Sequence, residues 1–126
     1  MPREERRSGP PVGDGVDSRA LKATIAAVFD RSAQGYAGIG YFPKLGERLA
    51  AQAGLGRGAR VLDVACGRGA VLFPAAERIG PEGSVTGIDL SETMVRETAA
   101  EIERRELSNA SVVTMDAESL RLPDSS

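Results

Sequence analysis

The chain contains no histidine and a single cysteine among its 126 residues. Without histidine, Cys66 cannot form a Cys/His nucleophile pair or a Cys/His zinc site, and we expect no metal centre. One cysteine also excludes an intrachain disulfide, which favours a cytoplasmic location. We therefore interpret Cys66 as a small loop residue.

Long apolar segments and concentrated positive charge are also missing. No stretch approaches the ~20 apolar residues that span a bilayer, and the N-terminus lacks the apolar core of a signal peptide. The net charge is −2, and basic residues are mixed with acidic ones. These absences argue against membrane and nucleic-acid partners. With 41% hydrophobic residues, the composition is typical of one modest soluble domain.

The most informative motif is VLDVACGRGA at residues 61–70, an apolar strand followed by a glycine-rich loop. Gly67 and Gly69 lack a Cβ, so the loop can turn sharply and pack directly on a small molecule. A dinucleotide loop reads GxGxxG, but Leu72 stands where the third glycine would fall. Asp63 would repel a pyrophosphate, whereas it suits an amino group or a sulfonium centre. The motif indicates a nucleotide-like ligand that is cationic.

Acidic residues also follow the next two predicted strands. SVTGID ends at Asp89, 22 residues beyond Gly67, where a carboxylate can accept hydrogen bonds from both hydroxyls of a ribose. Asp89 could instead cap the next helix, but Ser91 competes for that cap. The third strand, SVVTM, is followed by Asp116. Since carboxyl ends of parallel strands meet at one crevice, we expect Asp63, Asp89 and Asp116 to converge there.

The alternation of strand and helix patterns predicts an α/β fold with a parallel sheet. Strands are expected at about residues 60–65, 84–89 and 111–115, with a helix at about 69–79 between the first two. A second helix is capped by Ser91 and ends near Glu106. Its predicted inward-facing residues are Val95, Ala99 and Ile102.

The part of the chain before these strands divides into two regions. Residues 1–19 are charged and rich in proline and glycine, which predicts a disordered tail. Residues 20–55 are predicted to form a helical cap over the crevice, ahead of a ligand-binding domain at 56–126. The apolar residues that recur at helical spacing and form the amphipathic faces of these two helices are Leu21, Ile25, Val28, Phe29, Leu45, Leu49 and Ala53.

Taken together, the motifs resemble a known family. VLDVACGRGA, GSVTGIDLSETMV and VVTMDAESLRLPDSS are similar, in order and spacing, to the first three motifs of class I S-adenosylmethionine-dependent methyltransferases, especially the ubiquinone and menaquinone C-methyltransferase branch. FDRSAQGYAG at residues 29–38 resembles the segment before that core. The resemblance implies an incomplete Rossmann-like fold: the first three parallel strands with flanking helices, preceded by a helical cap. It also implies S-adenosyl-L-methionine as cofactor and a small-molecule methyl acceptor.

The resemblance further implies roles for individual residues. Asp63 would hold the methionine part of the cofactor, Asp89 the ribose hydroxyls, and Asp116 the adenine amino group. Tyr36 and Arg31 would close over the methionine end. Further cofactor contacts are implied in the loop and beside the strand ends, at Ala65, Cys66, Gly67, Gly69, Leu90, Met94 and Ala117.

Two positions, Met94 and Arg68, keep two interpretations. Met94 either fills the core or touches adenine, and Arg68 either meets the cofactor carboxylate or points to water. Ala65 stands where the family often has glycine, and we expect its small side chain to do little harm. No residue is predicted to be catalytic, because in-line methyl transfer needs alignment and exclusion of water more than an acid.

The chain ends where the family's domain would continue into a fourth strand beside the first. VLDVA is apolar on both faces, which is typical of a central strand, and an edge position would expose unpaired backbone groups. We therefore expect a fragment that could self-associate through the open edge. Two other functions stay open: a non-catalytic S-adenosylmethionine-binding remnant, and a NAD-dependent oxidoreductase, which Leu72 and Asp63 disfavour.

Overall fold

The computed structural model describes residues 17–36 and 41–126. Its elements are α1 (Ser18–Tyr36), α2 (Tyr41–Gln52), β1 (Arg60–Val64), α3 (Leu72–Ile79), β2 (Ser84–Asp89), α4 (Glu92–Arg104) and β3 (Ala110–Thr114). The predicted tail lies outside the described residues up to position 16. After the tail, α1 begins at Ser18, two residues before the predicted start of the helical cap. Asp17 stabilises this start because it accepts a hydrogen bond from the Arg19 N–H at 3.0 Å.

The three strands form one parallel sheet in the order β1-β2-β3. Val61 lies in register with Val85, and Val85 with Ala110. α3 and α4 pack on the face that carries these side chains. The core between helices and sheet contains Leu72, Ala75, Ala76, Ile79, Val85 and Ile102. This arrangement confirms the predicted α/β fold class, and the bounds of β2 agree with the prediction.

β1 is an edge strand of the sheet in the described part of the chain, and it is apolar on both faces as predicted. Val61 faces the core, whereas Leu62 and Val64 lie on the opposite face with 40% and 48% of their surface exposed. Val113 in β3 shares that face and is also 40% exposed. The sheet therefore carries exposed apolar surface on the side away from α3 and α4.

Two helix predictions need correction. α3 begins at Leu72 rather than at residue 69, because Gly67 and Gly69 adopt left-handed φ values of 52° and 85°. Ser91 does cap α4, but the buried residues of that helix are Met94, Thr98 and Ile102 rather than Val95, Ala99 and Ile102. The cause is polar: the Thr98 hydroxyl donates a hydrogen bond to the Gly67 carbonyl oxygen at 2.7 Å, which turns this face inward.

The apolar residues that form the amphipathic faces of α1 and α2 are not the residues that these helices bury. Small residues are buried instead, with Ala33 at 0% and Ala50 at 1% exposure. An ideal Cβ built on Gly46 would stand 1.9 Å from the Ala70 carbonyl oxygen, so α2 approaches the loop too closely for a larger residue. The residues of the predicted amphipathic faces are exposed, and Ile25 and Phe29 among them line the cavity described below. These exposed residues are Leu21, Ile25, Val28, Phe29, Leu45, Leu49 and Ala53.

The contact between α2 and Ala70 can be tested with a matched pair of substitutions. We expect Gly46→Ala to destabilise the fold by about 1–3 kcal/mol, because the new methyl group forces α2 away from the loop. Gly35→Ala in α1 has open space around the new Cβ and should stabilise by roughly 0.5–1 kcal/mol through helix propensity. Urea unfolding measures both. Equal shifts for the two variants would refute the close approach.

Candidate cofactor site

A cavity of about 740 Å³ opens at the carboxyl ends of β1 and β2. This is the position where open parallel sheets bind ligands. The loop at 65–71 forms its floor, and α1 and α2 contribute an apolar wall. The residues of that wall are Ile25, Phe29, Phe42 and Pro43.

Most of the residues assigned by resemblance lie around this cavity. The assigned residues in its lining are Asp63, Ala65, Cys66, Gly67, Gly69, Asp89, Leu90 and Met94. Met94 is only 1% exposed, so it fills the core and touches the cavity at once. Asp116, Ala117 and Arg31 are not in the lining. Tyr36 ends α1, and its side chain lies outside the described residues.

The carboxylate of Asp89 joins the two loops that border the cavity. Its Oδ2 accepts a hydrogen bond from the Gly67 N–H at 2.8 Å, and its Oδ1 accepts one from the Ser91 N–H at 2.9 Å. Each carboxylate oxygen can accept more than one hydrogen bond. Asp89 can therefore hold the loops and still accept hydrogen bonds from two hydroxyls of a ligand.

Asp63 carries a buried oxygen with no hydrogen-bond partner in the described structure, Oδ2. Burial raises the pKa of Asp63 to about 6, the Leu72 N–H opposes part of this rise, and the negative charge of Asp89 adds to it. A positive group in the cavity would relieve both the missing partner and the repulsion. The acceptor oxygens of Asp63 and Asp89 thus fit the amino group or sulfonium centre of S-adenosylmethionine.

Asp116 occupies a different environment from the other two aspartates. Its Oδ2 lies 2.6 Å from Lys22 Nζ in α1, and its Oδ1 accepts a hydrogen bond from the Glu118 N–H at 2.9 Å. The Lys22 ammonium holds the pKa of Asp116 below its ordinary value. The cavity therefore brings together Asp63 and Asp89, while Asp116 pairs with the helical cap.

Cys66 and Arg68 occupy adjacent positions in the loop. Burial raises the pKa of the Cys66 thiol to about 12, with contributions from Asp63 and Asp89, so the thiol is neutral at physiological pH. This agrees with the interpretation of Cys66 as a small packing residue. Arg68 does not point to water: its Nη1 donates a hydrogen bond to the Ala33 carbonyl oxygen at 2.9 Å, and it lines the cavity.

The cavity lining also includes residues that the sequence did not predict to belong to a binding site. The Arg105 guanidinium lies 4.0 Å from the centre of the Phe73 ring, and its Nε donates a hydrogen bond to Glu101 at 2.7 Å. All three residues line the cavity. An i, i+4 pair such as Glu101 and Arg105 looks the same in sequence on a cavity wall and on a solvated helix face.

Residues 61–126 match the family model described as a methyltransferase domain. The match covers more than half of the chain, and the chain belongs to this family. That the chain belongs to this family agrees with the cavity at the carboxyl ends of β1 and β2. It also confirms the resemblance to class I S-adenosylmethionine-dependent methyltransferases. It also selects this class over a NAD-dependent oxidoreductase.

Several curated methyltransferases are similar to the chain. It is 42% identical over 110 residues to aklanonic acid methyltransferase DauC of Streptomyces sp. (strain C5), covering 86% of this chain and 50% of the relative. It is 53% identical over 87 residues to nocamycin O-methyltransferase of Saccharothrix syringae, covering 68% and 31%. It is 40% identical over 70 residues to demethylmenaquinone methyltransferase of Listeria welshimeri, covering 56% and 30%. The chain thus spans half or less of the length of these relatives.

A solved structure supports the same fold. The chain superposes on a SAM dependent methyltransferase from Aquifex aeolicus with a TM-score of 0.58 and 32% identity, covering 63% of this chain and 42% of that one. This likeness and the family match confirm the Rossmann-like fold class, and they confirm S-adenosylmethionine as the cofactor of the family. Within residues 17–36 and 41–126, no helix has the length and apolarity needed to cross a bilayer.

The charge of Asp63 should reduce stability above its pKa. Because the folded-state pKa of about 6 exceeds the ordinary value of 3.8, the contribution of Asp63 to stability falls as the pH rises from about 4 to about 7. Asp63→Asn keeps the shape and the acceptor for the Leu72 N–H. We expect the advantage of this variant over the wild type in urea to grow steadily from about pH 4, where it is small, to about pH 8. The exposed Asp124→Asn change is the control, and the same offset at both pH values would contradict the assignment.

Ala65 adopts a left-handed φ of 57°, where glycine carries no Cβ penalty. Our expectation that alanine does little harm considered only its size, and the backbone conformation adds a cost of about 1–2 kcal/mol. Ala65→Gly should therefore raise the free energy of unfolding by about 1 kcal/mol. The exposed Ala53, with ordinary φ, gives the comparison. Ala53→Gly should not stabilise, and equal gains in both variants would count against strain at Ala65.

Proposed function

We propose that this chain binds S-adenosylmethionine in the cavity and provides the cofactor-binding part of a small-molecule methyltransferase. The observation that carries the proposal is the buried, unpartnered Oδ2 of Asp63 in a cavity that it shares with Asp89. Five carboxylates line the cavity against two arginines, Arg68 and Arg105, and neither arginine is hydrogen-bonded to Asp63 Oδ2. The excess of negative charge suits a cationic ligand. In this proposal residues 20–55 form the helical cap and residues 56–126 the cofactor domain.

The bound cofactor would supply an electrophilic methyl group. Asp63 would face its positive charge, and Asp89 would accept hydrogen bonds from the ribose hydroxyls while it holds Gly67 and Ser91. The side chains of Leu90 and Met94 offer apolar surface for the adenine ring. With these contacts the chain aligns the reacting methyl group and excludes water from it.

Three further residues keep their proposed contacts with the cofactor. Asp116 and the Ala117 backbone would meet the adenine amino group, with Asp116 sharing its carboxylate with Lys22. Tyr36 at the end of α1 would close over the methionine end. The position of Asp116 after β3, at the same edge of the sheet as Asp63 and Asp89, supports this contact.

The acceptor is proposed to be an apolar, ring-containing small molecule such as a quinol or a phenol. Support comes from the wall formed by α1 and α2, where Phe29 and Phe42 face the cavity beside Ile25 and Pro43. Flat aromatic ligands pack well on such walls. The relatives named for aklanonic acid and demethylmenaquinone also favour a small-molecule acceptor.

We extend the proposal to a cytoplasmic location and to self-association of the chain through the β1 edge.

The proposal is tested by calorimetric titration with three ligands. S-adenosylmethionine and S-adenosylhomocysteine both carry the amino group, whereas 5′-methylthioadenosine lacks it. A hydrogen bond to a charged group contributes about 1.5–3 kcal/mol, so Asp63→Asn should weaken the first two ligands by roughly 10- to 100-fold and leave the third unchanged. Loss for S-adenosylmethionine alone would place Asp63 at the sulfonium centre. The matched control is Asp124→Asn.

The outcome for the wild-type chain separates the candidate functions. Failure to bind S-adenosylmethionine, or tighter binding of NADH, would overturn the proposal. Binding without transfer of a labelled methyl group to quinols, phenols or amines would support the alternative of a non-catalytic binding module. Transfer to any of these acceptors would support the methyltransferase and identify the class of acceptor.

A further inference from the structure

Asp30 in α1 fastens this helix to the start of α4. It accepts a hydrogen bond from the Ser91 hydroxyl and another from the Thr93 N–H, the latter at 3.1 Å. Ser91 is itself the cap of α4, and its N–H donates to Asp89. Asp30 is therefore connected through one residue to the carboxylate that borders the cofactor cavity.

Two further side-chain contacts hold the same helix. Lys22 near the start of α1 pairs with Asp116 at 2.6 Å, in the segment after β3. Arg68, in the loop after β1, donates a hydrogen bond to the Ala33 carbonyl oxygen near the end of α1. Lys22 also pairs with Glu118 in the segment after β3. Together with Asp30, α1 therefore has at least one polar contact with each of the three loops that follow a strand.

The order of these contacts shows the path of the helix. Positions 22, 30 and 33 meet the loops after β3, β2 and β1 respectively. At 1.5 Å per residue, α1 advances about 17 Å from Lys22 to Ala33. Three neighbouring strands span about 10 Å. α1 thus crosses the whole carboxyl edge of the sheet, with Ile25 and Phe29 in the cavity wall.

Apolar burial attaches α1 only weakly. Among its side chains that the structure describes, Ala33 alone is fully buried, while Leu21 and Val28 are 48% and 45% exposed. Elements with few buried apolar contacts open at low free-energy cost. The polar contacts therefore contribute a large share of what keeps α1 in place.

We propose that α1 is a lid over the cofactor cavity and that Asp30 is the positioning residue that fastens it. The lid role rests on the proposed cofactor site, whereas the fastening does not. Among the three contacts, Asp30 is the one that receives two hydrogen bonds from a helix start, and it is the one linked to Asp89 through Ser91. Release of Asp30 would free the middle of α1.

The first test is amide hydrogen exchange of the full chain. We expect Asp30→Ala to accelerate exchange in residues 18–36 by about tenfold, with β1, β2 and β3 unchanged. Asp30→Asn keeps an acceptor oxygen and should show a smaller acceleration. Glu92→Gln removes an exposed charge at the same end of α4 and keeps the hydrogen bonds of Asp30 with Ser91 and Thr93, so it should leave exchange in α1 unchanged. Unchanged exchange in α1 for Asp30→Ala, or equal acceleration in the strands, would overturn the fastening role.

The second test measures how S-adenosylhomocysteine enters and leaves the cavity. A lid that opens more often speeds both steps, so Asp30→Ala should raise the association and dissociation rates together, each several-fold. A merely damaged site would raise the dissociation rate and lower the association rate, and that pattern would reject the lid. If the wild type binds no S-adenosylhomocysteine, the proposed cofactor site and the lid role fail, while the exchange experiment still decides the role of Asp30.

Discussion

The bridge made by Asp89 is the interaction on which the site depends. One carboxylate oxygen receives the Gly67 N–H and the other the Ser91 N–H, so the loops after β1 and β2 are joined at a single side chain. The floor of the cavity, the cap of α4 and the contact of α1 with Ser91 all follow from that junction. Parallel pairing of β1 with β2 brings the two loops to the same edge, and Asp89 then fixes their separation.

The second constraint is the unfavourable placement of Asp63. Its Oδ2 is buried without a hydrogen-bond partner, and the negative charge of Asp89 acts on the same carboxylate. Such an arrangement lowers the stability of the empty protein, and a cationic ligand would reverse the cost. The left-handed backbone of Ala65 adds strain in the same loop. Unfavourable local features therefore concentrate where the cofactor is proposed to bind.

The sequence predicted the strands, the glycine loop and the positions of Asp63 and Asp89 because these features are local: a period, a turn residue, an acidic residue at a strand end. It did not predict which helix faces are buried, since close approach of backbones favours Gly46 over the larger Leu45. It also missed Asp30, which meets a residue 61 positions away in the chain. Contacts between distant polar groups leave no periodic signal in a sequence.

The exposed apolar face of the sheet is separate from the site. Leu62 and Val64 point away from α3 and α4, and neither lines the cavity, whereas Asp63 between them does. Alternation along β1 thus assigns successive residues to two different surfaces. Whatever covers the outer face, the loop, Asp63 and Asp89 keep their geometry through contacts with β2, α3 and α4. Substitutions at Leu62 and Val64 would consequently change the outer face, whereas substitutions at Asp63 would change the cofactor site.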